Sequence, residues 1–173
     1  MIKLEPLTGH HNRSRFDCGV AALNAWLKQT ALQHQTKGIS RTFVAVPGDD
    51  ASLDAYRQAG FDDVGTGSIL GFYALTSAFV LIEDLPPQLA KRYPRQIPVT
   101  RLGRLAVHAD MQSQGLGRLL LADAVGRARN AANSVGSAAI FVDAKDESAA
   151  RFYLNFGFKR NVDQPFKLYL PMW

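Results

Sequence analysis

Arg101-Leu102-Gly103-Arg104-Leu105-Ala106-Val107-His108, followed closely by Gln112-Ser113-Gln114-Gly115-Leu116-Gly117, decides how this chain folds. The first stretch alternates in character and carries β-branched Val107 near its end, which reads as a strand. The second is a glycine-punctuated turn that opens a helix. Its apolar residues, Leu116, Leu119, Leu120, Ala124, Val125 and Ala128, recur at a helical period. The first amides of a helix have no acceptor within the helix, and the macrodipole is positive there, so the turn suits a phosphate group. Gly115 and Gly117 remove side chains that would hold a pyrophosphate away from those amides. Leu120 stands where a dinucleotide fingerprint needs its third glycine, and no Gly-Lys-Ser/Thr follows as in a P-loop. A plain tight turn is the other reading of the same residues.

Downstream, Ala138 to Val142 reads as an apolar strand, and Ala149-x-x-x-Tyr153-x-x-x-Gly157-Phe158 follows it. With these motifs the chain resembles the GNAT superfamily of acyl-CoA N-acyltransferases: Gln112-x-x-Gly115-x-Gly117 matches its cofactor loop, and Phe152-Tyr153-Leu154-Asn155-Phe156-Gly157-Phe158 its Tyr-x-x-x-Gly-Phe signature. Further stretches are similar to one branch, the GNAT toxins encoded beside ribbon-helix-helix antitoxins. These are Phe16-x-Cys18-Gly19 with Leu23-Asn24-x-Trp26-Leu27, Gly71-Phe72-Tyr73-x-Leu75, Leu102 to Val107, and Val142-Asp143-Ala144-Lys145.

The resemblance implies one GNAT-type α/β (α+β) domain over residues 1–173, with a mixed, mostly antiparallel central sheet flanked by helices. It implies acetyl-CoA as acetyl donor, its pantetheine along Leu105, Ala106 and Val107. The pyrophosphate is expected on Gln112, Ser113, Gln114, Gly115, Leu116, Gly117 and Arg118. Tyr153 is the implied general acid; a phenol with a pKa near roughly 10 is protonated at neutral pH and can donate to a leaving thiolate. The implied acceptor is aminoacyl-tRNA, and the implied partners are a ribbon-helix-helix antitoxin, operator DNA through that antitoxin, and a second copy of the chain. Two positions depart from the superfamily: Asp146 stands where many members have asparagine, and Gln112 where many have arginine.

At 173 residues with 47% hydrophobic content, the chain fits one domain with a sizeable core. No apolar run is long enough to span a membrane, and the first residues show no signal-peptide pattern, so no membrane association is expected. The single cysteine, Cys18, points to a reducing cytoplasm, and its bland role is packing at a helix entry. No cluster has metal-ligand spacing; His10 and His11 are expected in solvent. The net charge of +5 is uneven. From Lys91 to Arg104 there are five basic residues, Lys91, Arg92, Arg95, Arg101 and Arg104, and no acid. This is either a solvated loop and strand edge or a site for a polyanion, and in this context an acceptor site for tRNA.

In chain order the pattern predicts a strand at Ile2 to Pro6, a helix from Val20 to about His34 capped by Asp17 or Cys18, and a strand from Arg41 to Val46. An acidic excursion from Pro47 to Gly67 holds a short helix near Leu53 to Gln58. A strand from Ser68 to Leu75, a short helix within Asp84 to Tyr93, the central strand and the long helix to about Asn133 follow. Asp123 and Arg127 are spaced to pair on its outer face. The last elements are a helix from Asp146 to Tyr153, stopped by Gly157, and a strand at Phe166 to Leu170. His108 is a candidate general base or a structural histidine.

Three functions fit these features: acetylation of the α-amine of aminoacyl-tRNA by a translation-blocking toxin; acetylation of a protein or small-molecule amine; and binding of acyl-CoA, or corepression with an antitoxin, without catalysis. A polycationic antibiotic acceptor calls for an acidic site, against the basic stretch.

Overall fold

In a computed structural model of the chain, residues 1–81, 83, 87–161 and 163–172 are described. The elements are β1 (Ile2–Pro6), α1 (Ala21–Gln29), α2 (Ala31–Thr36), β2 (Arg41–Pro47), α3 (Asp50–Gln58), β3 (Gly71–Leu81), α4 (Pro87–Ala90), β4 (Gln96–Val107), α5 (Leu116–Ala132), β5 (Ala139–Asp143), α6 (Glu147–Phe156), β6 (Lys159–Arg160) and β7 (Lys167–Pro171). The strands form one open sheet in the order β1-β2-β3-β4-β5-β7-β6. β1 with β2, β5 with β7 and β6 with β7 pair antiparallel, whereas β4 and β5 run parallel. Helix α5 supplies the long crossover that a parallel pair requires. The sheet is therefore mixed, as the sequence leads one to expect.

By contacts the chain divides into two units: Met1–Ala74 with Arg104–Asp123, and Leu75–Gly103 with Ala124 to the C-terminus. The core of the first gathers Phe16, Trp26, Leu27, Ala31, Val44, Val46, Ile69, Phe72 and Ala106. In the second, Val80, Ile97, Val99, Ala139, Phe141 and Tyr169 pack together.

Several boundaries differ from the sequence reading. The helix expected from Val20 to His34 breaks at Thr30 into α1 and α2. Neither Asp17 nor Cys18 caps it. Instead the Asp17 carboxylate accepts from the Gly19 amide and the Asn24 side chain, both at 2.9 Å, while Asn24 Oδ1 accepts from the Cys18 amide at 2.9 Å. These bonds hold the Asp17–Gly19 turn against α1. β3 runs on to Leu81, because Ala78 and Val80 face the second core. The helix expected within Asp84 to Tyr93 is described at Pro87–Ala90; Asp84 to Pro86 lie outside the described residues. On α5, Leu119 is exposed and Leu121 fully buried, so the inward stripe is Leu116, Leu120, Leu121, Ala124, Val125 and Ala128. Asp123 does not stand on the outer face: half-buried, it accepts the hydroxyl proton of Tyr73 at 2.5 Å. His11 is buried rather than solvated, with Nδ1 accepting the Thr8 amide at 3.0 Å and Nε2 donating to Glu5 at 2.8 Å.

Gly71 shows how tightly β3 meets β4. A Cβ at Gly71 would stand 2.8 Å from Leu120 Cδ1 and 3.0 Å from the Ala106 carbonyl oxygen. Leu120 is fully buried and has no room to yield. Gly71→Ala is therefore expected to lower unfolding stability by about 1–3 kcal/mol, the usual effect of overpacking. Chemical denaturation checks this; a change under about 0.5 kcal/mol, the range of surface substitutions, contradicts it.

Candidate active site

β4 leads into the glycine turn through a short 3-10 segment, Ala109–Met111, and side-chain and backbone bonds fix that path. The His108 amide donates to the Leu70 carbonyl and the Ala109 amide to the Asp17 carbonyl, each at 2.8 Å. Gln112 Nε2 donates to the Val107 carbonyl at 3.1 Å and the Cys18 carbonyl at 3.2 Å. Gln112 thus ties the start of the glycine turn to the end of β4 and to the Asp17–Gly19 segment, and Cys18 serves through its backbone oxygen. Its buried thiol lies 3.7 Å from the Val20 carbonyl. The sequence signal for this clasp was the Phe16-x-Cys18-Gly19 motif, but which atoms it offers depends on a contact spanning some ninety residues.

Within the turn, Ser113 (φ 65°) and Gly115 (φ 82°) both adopt left-handed backbone. For a serine this is uncommon, and such residues cluster at functional sites. Left-handed residues in a turn direct successive amides into a concavity that suits an anion. The Leu119 amide is the one that donates to the Gly115 carbonyl, at 3.1 Å. The amides of Leu116, Gly117 and Arg118 come before it and have no acceptor within α5. Leu116 and Met111 are buried and anchor the turn, whereas Gln112, Ser113, Gln114, Gly115 and Arg118 are exposed. The chemistry of this segment fits a pyrophosphate: helix-start amides without an acceptor in α5, a helix N-terminus and the exposed guanidinium of Arg118.

Leu105, Ala106 and Val107 close β4, with Ala106 buried and its neighbours half-buried. The parallel pairing of β4 with β5 takes in Thr100 and Arg101, opposite Ile140 and Phe141. Leu105 to Val107 lie beyond that register, with backbone suited to pairing an extended amide chain.

In the second unit, Asp146 caps α6 by accepting the Ala149 amide at 2.8 Å. That is the task of the residue standing where asparagine is common, and a carboxylate performs it well. Gly157 ends the helix at φ 122°, its amide bonded to the Leu154 carbonyl. Between them, Ala150 and Tyr153 turn inward, while Phe152 and Phe156 are half-buried. The Tyr153 ring is 5.1 Å from Phe152 and 5.5 Å from Phe158 between centroids. Its hydroxyl has no hydrogen-bond partner among the described residues. Burial pushes its pKa up to about 12, because the phenolate would lose hydration without an opposing charge.

The basic residues fall into different settings. Lys91, Arg92 and Arg95 are exposed in the turn between α4 and β4, with no carboxylate partner among the described residues. Arg101 is paired with Asp143 at 2.8 Å. Arg104 is half-buried on β4, its guanidinium 4.3 Å from the centre of the Trp26 ring.

His108 has its Nδ1 occupied by the Asp110 amide at 3.2 Å and its ring edge-on to Phe16. It holds the 3-10 turn, which is a structural task. It also lines a cavity of about 380 Å³ with Phe16, Leu70, Met111 and the Gly60–Val64 turn. Asp62, Asp63 and Asp110 on that cavity outnumber its single arginine, Arg15, which disfavours a phosphate there.

In the first unit the sheet feeds a helix whose start suits an anion, and in the second a helix presents a buried neutral phenol; each is a feature that group-transfer enzymes handling a phosphorylated donor use. Residues 91–168 match the acetyltransferase (GNAT) domain, and the chain belongs to the GNAT acetyltransferase family. It is 36% identical over 157 residues to a tRNA-acetylating toxin of Mycobacterium tuberculosis (strain ATCC 25618 / H37Rv), spanning 91% of this chain and 84% of that protein. Among solved structures it is similar to AtaT complexed with acetyl-methionyl-tRNAfMet, with TM-score 0.82, 28% identity, and coverage of 99% of this chain and 95% of that one. It is likewise similar to a mutant AtaT toxin bound to the C-terminus of the antitoxin AtaR and acetyl-CoA, with TM-score 0.75, 27% identity, and coverage of 99% and 93%. No helix among the described residues is long and apolar enough to cross a membrane.

Proposed function

We propose that this acetyltransferase moves the acetyl group of acetyl-CoA to the α-amine of aminoacyl-tRNA and thereby acts as the translation-blocking toxin of a toxin–antitoxin pair. The similarity to a tRNA-acetylating toxin over nearly the whole chain carries this reading. The exposed cations Lys91, Arg92 and Arg95, without a carboxylate partner among the described residues, support a polyanionic acceptor. The same reading places the protein in the cytoplasm, where charged tRNA is found, as one catalytic domain over residues 1–173. It gives the toxin a ribbon-helix-helix antitoxin, and a second copy of the chain for which exposed Phe79 and Leu81 on β3 offer apolar surface.

Acetyl-CoA supplies an activated thioester. The turn from Gln112 to Arg118 holds its pyrophosphate through backbone amides, with Arg118 adding a charge-assisted bond. The backbone of Leu105, Ala106 and Val107 orients the pantetheine arm, and ordering the two reactants is itself a large part of the rate gain. During transfer a nitrogen–carbon bond forms and the carbon–sulfur bond breaks; the amine gives up a proton and the sulfur gains one. Tyr153 donates a hydrogen bond to the departing sulfur. With its pKa raised to about 12 the phenol holds that hydrogen firmly. A thiol is more acidic, near about 8.5, so full transfer from Tyr153 is uphill. Its contribution is a hydrogen bond to the developing thiolate, with the amine's proton restoring the balance.

If Lys91, Arg92 and Arg95 meet phosphates, acetylation should weaken steeply with salt, by about 0.7–0.9 in log K per log salt for each contact. Arg92→Ala with Arg95→Ala is expected to raise the acceptor KM and flatten that slope while leaving acetyl-CoA affinity intact. Expressed alone, the double variant should also no longer arrest growth. Salt-independent transfer to charged tRNA, or full toxicity of the variant at equal expression, would move a protein or small-molecule amine to first place.

A further inference from the structure

Among the described residues, Arg104 is the basic residue of the Lys91–Arg104 stretch that stands on an aromatic ring. Its guanidinium carbon is 4.3 Å from the centre of Trp26. Trp26 in turn is fixed from two other sides: it stacks with Phe72 at 6.1 Å and 11° between planes, and meets His34 edge-on at 6.2 Å. Only 9% of Trp26 is exposed, so its plane is set by the core rather than by solvent. Arg104 is half-buried and has no ion-pair or hydrogen-bond partner among the described residues, unlike Arg101, which Asp143 neutralises. Desolvation lowers its pKa from the usual value without a carboxylate to oppose it. A guanidinium carries five donors in a rigid plane. Stacking it on an indole compensates part of the lost hydration and holds the plane still, but satisfies none of those donors. The arrangement suits a ligand with paired acceptor oxygens, and phosphate matches that fork. Arg104 also immediately precedes Leu105, the start of the proposed donor-binding segment, so a group held by Arg104 is close along β4 to the reacting end.

We propose that Arg104, oriented by Trp26, grips a phosphate of the 3′-terminal nucleotide of the acceptor, and that Trp26 is a positioning residue for that contact. This rests on the nucleic-acid acceptor proposed above. The exposed Lys91, Arg92 and Arg95 attract the polyanion without fixing its register, whereas Arg104 with Trp26 sets where its end lies. A fork held in one plane pairs with two acceptor oxygens of one anion and not with an uncharged amine, so the pair contributes to acceptor choice.

The test is steady-state acetyl transfer from radiolabelled acetyl-CoA to charged tRNA, with KM measured for both substrates and over a salt series, for Arg104→Ala, Arg104→Lys, Trp26→Leu and Trp26→Phe. Arg104→Ala is expected to raise the acceptor KM about 10- to 100-fold, the usual loss for a hydrogen bond to a charged group, and leave the acetyl-CoA KM within about twofold. Arg104→Lys keeps the charge but not the fork and is expected to recover little of it. Trp26→Leu should raise the acceptor KM and lower the salt slope by about 0.7–0.9, one phosphate contact, although no charge is removed. Trp26→Phe, which keeps a ring beneath the guanidinium, should restore most of both. If Trp26→Leu does not fold, Arg104→Lys and Trp26→Phe decide. An acceptor KM for Arg104→Lys within about twofold of wild type overturns the proposal, as does a change confined to the acetyl-CoA KM, which would assign Arg104 to the donor. If the wild-type protein acetylates no charged tRNA at all, the acceptor reading itself fails and this inference with it.

Discussion

Tyr153→Phe is expected to lower kcat by about 10²–10³-fold, the range for losing one hydrogen-bond donor to developing charge, with donor affinity and fold retained. The change removes one hydroxyl from a ring that Phe152 and Phe158 continue to hold. Because that hydroxyl has no partner among the described residues, its loss breaks no internal bond, and stability should stay level or rise slightly. The pH dependence follows from the same burial. A phenol whose pKa is raised to about 12 remains protonated across the neutral and moderately alkaline range, so deprotonation of Tyr153 should cause no fall in rate below that value. The sign for stability is that of a raised pKa: the contribution is complete below the unfolded value near about 10 and is lost as pH climbs towards about 12. Single-turnover measurements on wild type and variant check both statements. Turnover of the variant within about twofold of wild type removes Tyr153 from the chemistry.

Gly117→Glu is expected to abolish donor binding while leaving the helix intact. Glutamate is a better helix former than glycine, and a carboxylate in the first turn is favourable to the macrodipole. The same carboxylate stands where the pyrophosphate is proposed to lie. Two like charges about 4 Å apart near a protein surface repel by about 4 kcal/mol, roughly a thousandfold in affinity. Calorimetry with CoA reads this directly. Unchanged affinity in a folded variant places the pyrophosphate elsewhere.

The segment from β4 through the glycine turn to α5 was legible in the sequence because local rules govern it: alternation, then glycines, then a helical period. Asp146 as a cap and Gly157 as a stop were legible for the same reason. The break at Thr30 was not, since no glycine or proline marks it and tertiary packing sets it. The stripe on α5 was misplaced by one residue because Leu119, Leu120 and Leu121 are equally apolar, and only the neighbours decide which is turned out. Ser113 in left-handed backbone carries no compositional sign at all. His11 was misread because its partners, Thr8 and Glu5, are ordinary surface types that happen to converge on it. The contacts that organise the candidate site over long sequence distances, Gln112 with the Cys18 carbonyl and Arg104 with Trp26, belong to the fold and not to any local pattern.

The central claim is that the acetyl group ends on the α-amine of an amino acid esterified to tRNA. Its most direct test is to incubate the protein with acetyl-CoA and a mixture of charged tRNAs, digest with nuclease, and identify the released 3′-terminal nucleosides by mass spectrometry. The wild-type protein is expected to yield N-acetyl-aminoacyl-adenosine, and Tyr153→Phe a large deficit of it. Unmodified aminoacyl-adenosine throughout, with acetyl groups recovered on protein or small-molecule amines instead, would contradict it.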